Sequence, residues 1–269
     1  MAFVQFDFYS KILDLETSMN VILPQQRSEE EVQDDLSNLD YIMPEKNFPV
    51  LYLLHGLSDS HSAWMRKTAI ERYASEKGLA VVMPAVHRSF YTDMKQGYPY
   101  WTFISREVPL IARRYFPLSQ KRTDNFVAGL SMGGFGAFKI ALNRPEKFSA
   151  AASLSGALDL IQLIKNEEGE MNEEFKMIFG DLEDIKNSRN DLCSILKSGR
   201  VNAADYPDLY QCCGQDDFLY ENNLQFKKAA LESDINLTYE EDAGEEHTWS
   251  YWDNKIQRVL DWLPVNAEL

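Results

Sequence analysis

The pentapeptide Gly129-Leu130-Ser131-Met132-Gly133 constrains this chain more than any other stretch. It follows Asn125-Phe126-Val127-Ala128, a short apolar run with strand character. It precedes Gly134-Phe135-Gly136-Ala137-Phe138-Lys139-Ile140-Ala141-Leu142, which reads as a helix. A serine on so sharp a strand-to-helix turn is forced outward at the end of a sheet, and the glycines keep Cβ atoms out of a turn that has no room for them. The helix N-terminus behind the serine offers free N–H groups to a developing negative charge.

A serine hydroxyl needs a base to become a nucleophile, and the base needs an orienting acid. G-x-S-x-G between strand and helix is the nucleophile elbow of α/β-hydrolases, where the chain order is Ser, then Asp or Glu, then His. Of the four histidines, His55, His61, His87 and His247, only His247 follows Ser131. It sits between the alternating Ile235-Asn236-Leu237-Thr238-Tyr239 and a helix-like segment, Trp249–Leu263, a loop from which a histidine can reach the serine. The acid is expected after the strand Leu209-Tyr210-Gln211-Cys212-Cys213, in Gly214-Gln215-Asp216-Asp217-Phe218. Adjacent residues point different ways, so at most one of Asp216 and Asp217 faces the histidine, and spacing leaves both open. Two backbone N–H groups are expected to hold the oxyanion. One is that of Met132, the residue after the nucleophile, and the other that of Leu57, in the loop after the doubly buried strand Val50–Leu54. His55 reads as a brace for that loop, and His61 and His87 as surface or cleft-rim residues.

These pieces together resemble the esterase D-like branch of the α/β-hydrolases, and within it the bacterial tributyrin esterase group. The likeness rests on Val50-Leu51-Tyr52-Leu53-Leu54-His55-Gly56, Val81-Val82-Met83-Pro84, Ala128–Gly134, Ser153-Leu154-Ser155-Gly156-Ala157, Cys213–Tyr220 and Ala243-Gly244 with His247, and on the opening from Tyr9-Ser10 to Val21-Ile22-Leu23-Pro24. One departure is local: a common Ala-Gly-x-His arrangement is Ala243-Gly244-Glu245-Glu246-His247 here. The resemblance implies hydrolysis of short-chain acyl esters. It favours Asp217 as the acid, since that residue directly precedes Phe218-Leu219-Tyr220, and it supports Leu57 as the second oxyanion donor. A catalytic set of Ser131, Asp217 and His247 follows, with a small acyl ester as partner and room for a homo-oligomer. A thioesterase acting on S-formylglutathione, a deacylase of acetylated or feruloylated sugars, an acyltransferase and a catalytically silent hydrolase-shaped binding protein are the alternatives.

Composition sets limits. In 269 residues, 45% hydrophobic content is ample for one large core, and no apolar run is long enough to span a membrane. A net charge of −15 argues against nucleic acid and anionic membrane surfaces as partners. The alternating N-terminus, Val4, Phe6 and Phe8 against Gln5 and Asp7, reads as a strand and not a signal peptide. Three cysteines, Cys193, Cys212 and Cys213, with no spaced framework point to a reducing, cytoplasmic setting. No zinc-ligand spacing, P-loop or dinucleotide fingerprint occurs, so no metal and no cofactor are expected.

The expected fold is a single α/β-hydrolase domain over 1–269. It has a mostly parallel central sheet, antiparallel N-terminal strands and helices on both faces. Residues 25–47 read as a polar surface loop, and Trp101–Phe116 as a helix burying Ile104, Val108, Ile111 and Tyr115. About 158–205 is too long for an ordinary connection and reads as a mostly helical, cap-like insertion that helps form the pocket, or else as a peripheral bundle or subunit contact. Phe90, Tyr91, Tyr98, Trp101 and Trp249 are candidate pocket walls.

Overall fold

A computed structural model describes residues 1–25, 47–166, 168–199 and 201–265. Most of the acidic 25–47 stretch therefore lies outside the described residues. The eight strands form one sheet in the order β1-β2-β4-β3-β5-β6-β7-β8. They are β1 (Ala2–Ser10), β2 (Leu15–Leu23), β3 (Val50–Leu54), β4 (Ala80–Pro84), β5 (Asn125–Leu130), β6 (Ala150–Leu154), β7 (Asp208–Gly214) and β8 (Leu237–Asp242). β1 and β2 pair antiparallel, β2 meets β4 antiparallel, and every later pairing is parallel. This is the α/β-hydrolase sheet. The alternation read in β1 holds: Val4, Phe6 and Phe8 are half-buried on one face while Phe3, Gln5, Asp7 and Tyr9 are exposed.

The central strands are apolar throughout because both faces are covered. Val50, Tyr52 and Leu54 of β3 join one core, and Leu51 and Leu53 the other. On the second face pack α1 (Ala63–Lys67) and α2 (Ile70–Ser75), together with a long C-terminal helix described below. The first face carries a broken helix in three pieces: α3 (Tyr100–Thr102), a π turn (Phe103–Glu107) and α4 (Val108–Tyr115). Pro109 has no N–H to offer the Ser105 carbonyl, and the bond from Val108 N–H to the Phe103 carbonyl closes the wide turn. The extra residue shifts the helical phase. Ile104 and Val108 are buried as expected, but Ala112 continues the buried stripe and Tyr115 is 56% exposed, which corrects the simple helical spacing.

The same face holds α5 (Met132–Asn143), which follows β5 directly, and then the long connection between β6 and β7. That connection is helical: α6 (Leu160–Asn166), α7 (Gly169–Phe179), α8 (Leu182–Ile185) and α9 (Leu192–Lys197). It packs on the loop after β4 through Phe90, whose ring lies 5.3 Å from that of Phe175 and 5.5 Å from that of Phe179. Arg88 adds a two-pronged bond to Glu174 at 2.5 and 2.6 Å. The chain closes with α10 (Tyr220–Leu231) on the first face and α11 (Trp249–Trp262) on the second.

Candidate active site

β5 delivers Ser131 to the carboxyl edge of the sheet and α5 starts one residue later. The serine sits at φ 53°, ψ −120°, a region that costs a non-glycine residue about 1–3 kcal/mol and persists only where the surroundings enforce it. Here they do. Its N–H donates to the Leu154 carbonyl at 2.9 Å, and its carbonyl accepts from Phe135 N–H at 3.1 Å and Ala157 N–H at 3.3 Å. The elbow is also packed too tightly for side chains. A Cβ on Gly133 would lie 2.5 Å from the Leu54 carbonyl oxygen, and one on Gly129 would lie 2.4 Å from the Gly133 carbonyl.

The residues expected to meet Ser131 do so. His247 Nε2 lies 3.0 Å from Ser131 Oγ, and His247 Nδ1 lies 2.8 Å from Asp217 Oδ2. The tautomer with the proton on Nδ1 satisfies both contacts: Nδ1–H donates to the carboxylate and Nε2 accepts from the serine hydroxyl. Asp217 is buried, and its other oxygen accepts the Leu219 N–H at 2.8 Å, which fixes the carboxylate plane. Asp216 is exposed and takes no part, its backbone N–H bonding the Glu245 carbonyl at 3.1 Å. Between the neighbouring Asp residues, the loop from Gly214 therefore turns the second one inward.

The loop after β3 passes beside the serine. A Cβ on Gly56 would come within 3.8 Å of Ser131 Cβ, so the residue before Leu57 lies against the serine, and Met132 is the first residue of α5. His55 braces this loop, as read. Its Nδ1–H donates to the Gly56 carbonyl at 2.7 Å and its Nε2 accepts Val86 N–H at 3.2 Å. Both ring nitrogens are thus occupied, and burial pulls the pKa down to about 4. His87 is exposed and His61 half-buried, away from the Ser131 contacts.

Three of the proposed pocket walls are corrected. Phe90, Tyr91 and Trp101 are buried in the core cluster, where the fold uses their area for packing. Two rings that the sequence did not single out flank the histidine instead. Phe218 lies 4.5 Å from the His247 ring and is 75% exposed, whereas Trp252 lies edge-on at 4.8 Å and is buried. The position of Phe218 directly after the acid was the available signal. Trp252 donates its indole N–H to Ser155 Oγ at 3.2 Å, so its plane is fixed. Among the described residues no group of three or more His, Cys, Asp or Glu side chains could hold a metal ion, and no helix is long and apolar enough to cross a membrane.

Comparison with known proteins agrees with this fold. The esterase family model, described as "Putative esterase", matches residues 37–263. An acetyl esterase of Caldicellulosiruptor saccharolyticus is 30% identical over 270 residues, covering 98% of each chain. Among solved structures, the fluorophosphonate-binding serine hydrolase FphF of Staphylococcus aureus, substrate bound, superposes with a TM-score of 0.86 at 35% identity, covering 98% of both chains. The S-formylglutathione hydrolase FrmB of Staphylococcus aureus superposes with a TM-score of 0.82 at 36% identity, covering 98% of this chain and 99% of that one.

Proposed function

This chain belongs to the esterase family of α/β-hydrolases and is a serine-type carboxylic ester hydrolase, and from that premise we propose that it cleaves short-chain acyl esters, of the acetyl or tributyrin kind, through an acyl-serine at Ser131. The unbroken hydrogen-bond chain from Ser131 Oγ through His247 to Asp217 carries the reading.

In the proposed cycle His247 Nε2 takes the hydroxyl proton as Ser131 Oγ attacks the ester carbonyl. Asp217 keeps the imidazole in the productive tautomer and stabilises the imidazolium that forms. The N–H groups of Leu57 and Met132 receive the oxyanion, the latter at the positive end of α5. The imidazolium then returns its proton to the leaving alcohol, and water repeats the sequence on the acyl-serine.

A preference for short acyl groups is supported by the packing one helical turn beyond the nucleophile. Phe135, whose N–H bonds the Ser131 carbonyl, packs at a tilt on Phe90 at 6.0 Å, and Phe90 meets Phe175 and Phe179 edge-on. These buried rings fill the space between α5 and the 158–205 insertion, and on this reading the insertion is a cap on the acyl side of the site. The three free thiols favour action in the cytoplasm.

A second reading, thioesterase action on S-formylglutathione, is favoured by the likeness to FrmB. The exposed Asp216 and Glu246 beside Asp217 and His247, on a chain of net charge −15, oppose an anionic leaving group. Initial rates on p-nitrophenyl acetate, butyrate and octanoate and on S-formylglutathione, wild type beside Ser131→Ala, test the choice. Serine-dependent rates highest on acetate or butyrate are expected. Serine-dependent turnover confined to the thioester would replace the proposal with the second reading.

A further inference from the structure

Lys139 is fully buried in the middle of α5, between Phe138 and Ile140. Burial pushes its pKa well below the usual lysine value, and the carboxylate that most favours its charge, Asp93, is engaged with the Thr102 N–H at 2.8 Å and hydroxyl at 2.9 Å. The Lys139 amine meets neutral oxygens. Nζ donates to the Tyr91 carbonyl at 2.8 Å and to Thr92 Oγ1 at 2.7 Å, and it lies 5.2 Å from the Trp101 ring and 5.5 Å from the Phe135 ring. A buried cation is expensive, and an apolar side chain of similar length would fill the same volume at lower cost. Packing alone does not account for an amine here.

The segment it grips is unusual in its backbone. Phe90 and Tyr91 have φ of 48° and 51°, two consecutive non-glycine residues in the left-handed region. Such a pair needs external bonds to hold it. The Tyr91 ring lies against α5, where a Cβ on Gly136 would meet it at 2.4 Å. The Tyr91 hydroxyl donates to the His55 carbonyl at 2.8 Å. His55 is bonded in turn to the Gly56 carbonyl, and the next residue is Leu57. One line of hydrogen bonds thus runs from the helix that carries the nucleophile to the loop opposite it.

We propose that Lys139 is a positioning residue for the oxyanion-binding loop: it holds the strained Phe90–Tyr91 pair, so that the Tyr91 hydroxyl pins the His55 carbonyl and the Leu57 N–H stays aimed at the reacting carbonyl. The inference rests on the reading of Leu57 as an oxyanion donor. Lys139 touches no substrate, and its effect is exerted through Tyr91.

The experiment compares wild type, Lys139→Met, Tyr91→Phe and the double variant on p-nitrophenyl acetate, with rates expressed per site titrated by a phosphonate, and with Ser131→Ala alongside. Misaiming a donor without deleting it costs kcat about 10- to 100-fold, with KM within about twofold. Each single variant should show that loss. The double should be no slower than the slower single, because both cut the same line. Tyr91→Phe keeps the ring and its packing, so it decides the matter alone if Lys139→Met does not fold. Full kcat in Tyr91→Phe, or losses that multiply in the double variant, would overturn the inference while an inactive Ser131→Ala leaves the esterase reading intact. An active Ser131→Ala would overturn that reading, and this inference with it.

Discussion

Lys139 and Lys255 are both buried, on opposite faces of the sheet, yet one meets neutral oxygens and the other two carboxylates. Lys255 Nζ bonds Glu240 at 2.8 Å and Asp242 at 2.7 Å, and Tyr251 adds its hydroxyl to Asp242 at 3.0 Å. Burial alone would lower the Lys255 pKa, but the bonds to Asp242 and Glu240 outweigh it and the pKa rises, opposite to Lys139. Asp242 ends β8 and Lys255 lies midway along α11, so this ion pair ties together the two elements that flank the loop carrying His247. The loop with Leu57 is held by buried hydrogen bonds to uncharged oxygens, and the histidine side by carboxylates that reach water. The difference follows the chemistry proposed for each. An N–H donor never changes charge and needs only aim. A base that becomes a cation in every cycle is better carried by a framework that already holds opposite charge.

The largest expected effect separates the members of the histidine side. His247→Ala should lower kcat by about 10⁵- to 10⁶-fold and Asp217→Asn by about 10⁴-fold, because the second leaves a base with the wrong tautomer. Rapid kinetics on p-nitrophenyl butyrate give both, and an Asp217→Asn enzyme near the wild-type rate would erase the distinction between base and orienter.

Acid should strike the oxyanion side through His55. Its folded pKa of about 4 lies below the unfolded value of 6.5, so between these pH values the unfolded chain binds more protons. The stability linked to His55 is fully present above pH 6.5 and is lost as pH falls toward 4, by about 3 kcal/mol in all. Urea midpoints at pH 7 and pH 4.5 should fall less in His55→Gln than in wild type. Equal falls would mean that His55 is not the neutral brace described.

Lys255→Met should cost roughly 1–2 kcal/mol at neutral pH by removing the cation that Glu240 and Asp242 share, with kcat changed only a few-fold. That is the reverse of the pattern expected for Lys139→Met, and a Lys255→Met protein as stable as wild type would break the contrast between the two lysines. The smallest effect is reserved for Phe218, which stands exposed against the ring of His247, the residue proposed to protonate the leaving alcohol. Phe218→Ala should lower kcat/KM about two- to ten-fold for aryl esters and less for alkyl esters. Identical losses for both would deny it any contact with the leaving group.

The sequence made the histidine side easier to read than the oxyanion side. G-x-S-x-G, a single histidine downstream and an acidic pair after a strand are local patterns, so Ser131, His247 and the choice between Asp216 and Asp217 could be reached by position. Turning Asp217 inward depends on Leu219 N–H and the loop from Gly214, which spacing does not reveal. The support for Leu57 is built from residues distant in sequence: Tyr91 meets His55 across 36 positions and Lys139 meets Tyr91 across 48. Lys139 was visible as the one charge in the apolar run Gly134–Leu142, but its partners were not. The same blindness to packing made Phe90, Tyr91 and Trp101 look like pocket walls, and the π turn before Pro109 hid the phase shift that exposes Tyr115.

The most direct test is rapid-quench mass spectrometry of the enzyme mixed with p-nitrophenyl butyrate. The account predicts a transient butyryl adduct on the peptide containing Ser131 that forms and decays at rates matching turnover, and no adduct or turnover in Ser131→Ala. Turnover without an adduct on Ser131, or an adduct carried by another residue such as Cys213, would contradict it.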